Sequence, residues 1–105
     1  MAYATASEMI DQIGENQAED LARAEGGGID EAALTAALAD ASGVIDGYLG
    51  GRYALAADLA RQHCIIIARY ALASGAPPEG REGRDYQDTV AFLRAVVAGK
   101  TGQQD

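Results

Sequence analysis

Between Asp30 and Gly50 the larger apolar side chains stand at Leu34, Leu38, Ala41, Ile45 and Tyr48, at steps of four, three, four and three. That spacing returns every one of them to the same side of a helix and to no single face of a strand, so one long helix with one buried stripe constrains everything else. Both of its ends are marked. Asp30 is placed as the N-cap, with Ile29 before it and Leu34 after it able to close over the cap as a hydrophobic staple. Gly50 and Gly51 end the helix, because glycine takes the left-handed conformation at little cost. Asp40 and Asp46 lie off the stripe, and Ala37, Ala41, Ser42 and Gly43 are small enough for a second helix to come close. Gly47 sits inside the pattern, where glycine costs about 0.5–1 kcal/mol relative to alanine. Close packing against a neighbouring backbone is the expected reason for it, with a hinge as the alternative.

The remaining chain reads as helix as well. Thr5 followed three residues later by Glu8 is a capping-box pattern that opens a short helix with Met9, Ile10 and Ile13 inward and Gly14 at its end. "ENQAEDLARAE" makes a further short helix or turn, and the triple glycine 26–28 is expected to be a flexible break. A second long helix runs over about 56–73, with Leu55 or Leu59, Ile66, Tyr70 and Ala73 on one face. Its centre, 64–68, is Cys-Ile-Ile-Ile-Ala, apolar most of the way round, and such a segment needs cover on more than one side. A second subunit could supply part of that cover through Ile65 and Ile67. "SGAPPEG" then turns the chain. A last helix over 81–98 places Tyr86, Val90, Leu93 and Val97 inward and Arg84, Asp88 and Arg94 outward. Tyr48 and Tyr70 fall on apolar stripes and are expected in the core.

No strand pattern and no internal repeat is present. The expectation is therefore an all-α bundle of about four helices: two long central ones, a short N-terminal one and a C-terminal one. One domain covers 1–98, and 99–105 forms a flexible polar tail. With no tryptophan and a single phenylalanine, Phe92, the core is shallow and its helices must pack closely.

Eight basic residues against sixteen acidic ones leave a net charge of −8, with no basic stripe, which argues against nucleic-acid binding through phosphates. The N-terminus has no basic region followed by an apolar stretch, and no run approaches a membrane span. A soluble protein folded in a cytoplasm, with no membrane partner, is the expectation. The single cysteine, Cys64, has no partner for an internal disulfide.

Catalytic and metal-binding constellations are absent from the spacing. His63 and Cys64 are adjacent, so on a helix they point about 100° apart and cannot serve as a nucleophile and its base. Neither has further Cys or His residues with which to hold zinc. "EGGGIDE" lacks the alternating oxygen ligands of a calcium loop and the Gly-Lys-Ser/Thr of a phosphate cradle. It is read as a loop and a helix cap, and the expectation is a non-enzymatic protein without cofactor or metal.

Four blocks carry a family resemblance: "YATASEMIDQIGE", "ALADASGVIDGYLGGRYAL", "CIIIARYAL" and "RDYQDTVAFLRAVVAGK". In this order they resemble a family of small structural proteins of Mu-like prophages, related in fold to the head-tail connector proteins of tailed bacteriophages. Two features depart from it: 54–58 lacks the proline-rich segment usual after Arg-Tyr, and the triple glycine replaces a more acidic loop. The resemblance implies a helical adaptor in the virion neck, assembled in the bacterial cytoplasm. It would form a homo-oligomeric ring, a dodecamer by the family's habit, under the portal protein and dock the tail or its completion protein. DNA would pass through the channel without specific binding. The corner after the long helix then presents Arg52 and Tyr53 to a neighbour, although Arg52 could equally cap the helix in solvent and Tyr53 anchor the core. Lys100 and Gln103, in the tail, become candidate partner contacts. A free acidic helical adaptor or regulator that binds a basic protein is the rival reading, and a small enzyme using His63 or Cys64 is the third.

Overall fold

Thr5 opens the first helix as its spacing predicts: its Oγ1 accepts from the Glu8 N–H at 3.1 Å, and Glu8 Oε1 accepts from the Thr5 N–H at 2.9 Å. The computed structural model describes residues 2–51, 53–73 and 80–98, and across them the chain is all-α, without a strand. Its helices are α1 (Ala6–Ile13), α2 (Glu15–Leu21), α3 (Glu31–Leu49), α4 (Ala57–Leu72) and α5 (Arg81–Val97). Five helices stand where about four were expected, because the segment read as a short helix or turn is a helix of its own. Gly14, at φ 91°, separates it from α1. Arg52, the connector 74–79 and the tail 99–105, with Lys100 and Gln103, lie outside the described residues.

The triple glycine forms a hydrogen-bonded loop. Gly26, Gly27 and Gly28 adopt φ of 87°, 105° and 86°, values that side-chain-bearing residues rarely take. Within the loop the Ala24 N–H donates to Gly28 O and the Gly27 N–H to Ala24 O, both at 2.9 Å, and the Asp30 N–H donates to Ala22 O at 2.8 Å. Glu19 adds a carboxylate acceptor for the Gly28 N–H at 3.0 Å. The chain is thus delivered to Asp30, whose Oδ1 accepts from the Ala33 N–H at 3.1 Å and caps α3. Ile29 and Leu34 both pack into the core beside that cap.

Helix α3 buries Leu34, Leu38, Ala41, Ser42, Ile45 and Leu49, and Tyr48 lies half-buried against the same core. It ends at Gly50 in the left-handed conformation, φ 63°, with the Gly50 N–H donating to Asp46 O at 2.9 Å. The largest helix–helix interface joins α3 to α4, and α5 packs against both. Ala41 and Ser42 allow the close approach foreseen for this surface, but Gly43 and Gly47 do not take part. Both are exposed, and a Cβ added to either would meet nothing within 4 Å. Close packing within the chain therefore does not explain Gly47, and α3 runs through it without a break.

Two stripes are rotated from their expected positions. In α4 the buried residues are Ala60, Cys64, Ile65, Ile67 and Ala68, while Leu59, Ile66 and Tyr70 are half-buried. The helix is central, and it buries the small Ala60, Cys64 and Ala68 together with Ile65 and Ile67. Ile65 and Ile67, nominated for a subunit interface, are 3% and 5% exposed inside the chain's own core. The cover that the apolar run needs comes from helices of the same chain. In α5 the buried positions are Gly83, Thr89, Leu93 and Val96, with Tyr86 and Val90 half-buried and Val97 37% exposed. Thr89 goes inward because His63 on α4 offers it a hydrogen bond, which an apolar stripe does not foresee.

Because a methyl group at Gly47 fills only open space, Gly47→Ala is expected to raise stability by about 0.5–1 kcal/mol. Gly50→Ala, forced into a left-handed backbone, is expected to lower it by about 1–2 kcal/mol. Urea unfolding followed by circular dichroism measures both.

Candidate functional site

Each group singled out for chemistry has a partner inside the fold. His63 leaves α4 toward α5, where its Nδ1 lies 2.9 Å from Thr89 Oγ1 and its ring stacks on Phe92 with centroids 4.6 Å apart. Burial holds its pKa below the usual histidine value, since the half-buried ring loses water that would stabilise the cation. Cys64 points the other way, toward α3, and is fully buried. Its Sγ lies 3.4 Å from both Ser42 Oγ and Leu38 O. The Ser42 hydroxyl donates to Leu38 O at 2.8 Å, and the thiol is placed to donate to the same carbonyl. Burial raises the thiol pKa, partly offset by the Ser42 hydroxyl and the backbone of Tyr3 and Ala4, which can donate to a thiolate there. The two neighbours thus serve different interfaces, as their adjacent positions on a helix require.

Ser42 also receives the N-terminal segment. The Tyr3 N–H donates to Ser42 Oγ at 2.8 Å, and the Tyr3 hydroxyl bonds Asp46. That bond to a carboxylate, helped by partial burial, raises the Tyr3 pKa. The tyrosine therefore crosses the outside of α3 and ties the start of the chain to its centre.

Among the described residues no group of three or more His, Cys, Asp or Glu side chains is placed to hold a metal ion. Asp30 is occupied as a helix cap, and the adjoining glycine loop takes Glu19 as its internal acceptor. At the corner, Gly50 and Gly51 have φ of 63° and 76°, and Tyr53 lies half-buried against the core. Tyr70 and Tyr86 stack with centroids 4.4 Å apart across α4 and α5.

The surface concavities are features that the sequence did not announce. A cleft of about 260 Å³ is bounded by Gln12, Ile13, Gln62, Arg69, Arg81 and Asp85 among others. A shallower groove of about 420 Å³ runs beside α3 and α4 past Ala36, Asp40, Val44 and Ala71. Arg69 is the polar residue that sequence reasoning missed. It stands in "CIIIARYAL", where apolar periodicity directs attention to the isoleucines, yet it bonds Gln17 on α2 at 2.5 Å and pairs with Glu82 on α5 at 3.7 Å. A cation beside a long apolar run was the available signal. No helix among the described residues is long and apolar enough to cross a membrane.

These helices, in this order, carry all four sequence blocks of the resemblance. The chain matches the protein family described as "Bacteriophage Mu, Gp36" over residues 3–103, and it belongs to that family. It is similar to "Mu-like prophage FluMu protein gp36" of Haemophilus influenzae, 45% identical over 76 residues that cover 68% of this chain and 52% of the relative. It is also similar to "Gene product J" of Escherichia phage Mu, 35% identical over 107 residues covering 96% of this chain and 75% of that protein. The chain thus spans about half the length of the Haemophilus relative and about three quarters of the phage Mu relative.

Two outcomes follow from the burial of the adjacent pair. A histidine whose pKa is lowered by folding binds fewer protons in the native than in the unfolded state. Its contribution to stability is complete above the unfolded histidine pKa and is lost as pH falls through that value toward the lower folded one. His63→Gln is therefore expected to show a shallower loss of stability on acidification from pH 7.5 to 5.5 than the unaltered chain, in urea titrations at each pH. Cys64 is expected to resist a thiol reagent in the native state and to react at a rate that rises with urea in step with opening of the fold. Absorbance-monitored labelling reads this directly.

Proposed function

We propose that this chain is a structural head-tail connector, or head-completion adaptor, of a Mu-like phage or prophage. In this reading it assembles as a homo-oligomeric ring, dodecameric by analogy, beneath the portal protein in the virion neck and docks the tail. The observation that carries the reading is membership of the phage Mu family across 3–103, joined to the resemblance of its sequence blocks to connector proteins. The all-α fold fits an adaptor that works by surface complementarity. The side chains best suited to chemistry, His63 and Cys64, are engaged in holding helices together, consistent with a non-enzymatic role without cofactor.

The lateral contacts of such a ring fall to the outward faces of the helices rather than to Ile65 and Ile67, which the protomer core already uses. Val44 on α3 and Val97 on α5 are apolar side chains that remain exposed there. A closed ring of like contacts is heterologous, one face of each copy meeting a different face of the next. A net charge of −8 on each copy would repel phosphates along the channel and let DNA pass without adhering.

Disruption of this gene alone in a producing phage, with the gene supplied separately as control, is expected to leave filled heads and finished tails unjoined in electron micrographs of the lysate. Intact virions, or an arrest before heads form, would overturn the connector reading. The free acidic adaptor, binding a basic protein and missing from purified particles, would then take its place.

A further inference from the structure

Helix α2 buries fewer of its residues than the helices it lies against. Of its seven residues only Ala18 is buried, with Glu19 and Leu21 half-buried, and its principal packing partner is the short α1. A helix of this length does not persist alone in water, so it depends on what it touches. Glycines in positive-φ conformations bracket it, Gly14 on one side and the loop 26–28 on the other. Rotation at such positions meets little steric resistance.

Two clefts meet beside α2. The one of about 260 Å³ lies between α1, α4 and α5, with Gln12, Ile66, Arg69 and Glu82 in its walls and no residue of α2. A second, of about 230 Å³, is bounded by Gln17, Asp20, Leu21, Arg69 and Glu82. Arg69 and Glu82 therefore wall both. Arg69, whose side chain is 17% exposed, reaches from α4 between them, donates to Gln17 Oε1 at 2.5 Å and keeps Glu82 Oε2 at 3.7 Å. Among the described residues this is the side-chain hydrogen bond that ties α2 to α4.

We infer that α2 is a strap that lifts from the seam between α4 and α5 as a local unit, turning about Gly14 and 26–28, with the Arg69–Gln17 bond as its catch. Opening uncovers the cleft of about 230 Å³ along the Arg69–Glu82 pair, which α2 otherwise closes with Gln17, Asp20 and Leu21. The device rests on the contacts of this chain alone and stands or falls independently of the connector reading. Few buried apolar contacts combined with backbone hinges are the properties of the low-stability end of a fold.

Hydrogen exchange of the full chain, read by mass spectrometry on peptides from each helix, tests it with Gln17→Ala and Arg69→Ala. In the unaltered chain the α2 amides are expected to exchange faster than those of α3 and α4. Gln17→Ala, which changes an exposed side chain and leaves the core intact, is expected to speed α2 by roughly threefold to tenfold while α3 and α4 stay unchanged. Arg69→Ala is expected to do the same and also to speed the first turn of α5, which loses the partner of Glu82. If Arg69→Ala does not fold, Gln17→Ala carries the test. Protection of α2 equal to that of α4, insensitivity of α2 to Gln17→Ala, or an equal rise in every helix on that substitution would each overturn the strap.

Discussion

The contact between Ser42 and Cys64 is the point on which the rest of the structure depends. It lies at the centre of the α3–α4 interface, where two small polar side chains and the Leu38 carbonyl satisfy one another. Buried polar atoms left without partners cost more than the hydrogen bonds themselves return, so this cluster sets how close the two helices come and in what register. It also receives the Tyr3 N–H, which brings the N-terminal segment and α1 onto the same surface. With bulkier residues here, the helices would stand apart and the alanine-rich core could not close.

A second polar pair does for α5 what that cluster does for α3. His63 and Thr89 meet across α4 and α5, and the stacked His63–Phe92 and Tyr70–Tyr86 rings extend the contact along the helices. With α5 turned away from its apolar stripe, the pair satisfies the buried Thr89, while Val97 faces outward. Helix α4 thus sits between two neighbours, each aligned by one polar contact. Its triple isoleucine has its cover inside the chain, which removes the simplest reason for assigning Ile65 and Ile67 to a subunit contact. Any assembly must use surfaces that the folded chain leaves outside.

One feature of the candidate site was visible in the sequence. Adjacency of His63 and Cys64 on a helix was enough to separate them, and the structure sends them to different interfaces. The part played by Arg69 was not visible. Its partners, Gln17 and Glu82, lie far away along the chain in either direction, and no local pattern links them. The phage family, in turn, was legible in the four sequence blocks, which carry identity without chemistry.

By itself the sequence determined where helices begin and end: Thr5 with Glu8, Asp30, and the glycines at 14 and 50 act through hydrogen bonds and backbone preferences within a few residues. It also determined the stripe of α3, whose large side chains are spaced for one face. Only the tertiary structure decided which faces of α4 and α5 are buried. It also decided that Gly47 faces open space. These outcomes depend on neighbours distant in sequence, because burial is a property of what packs opposite a residue and a cap is a property of the residues beside it.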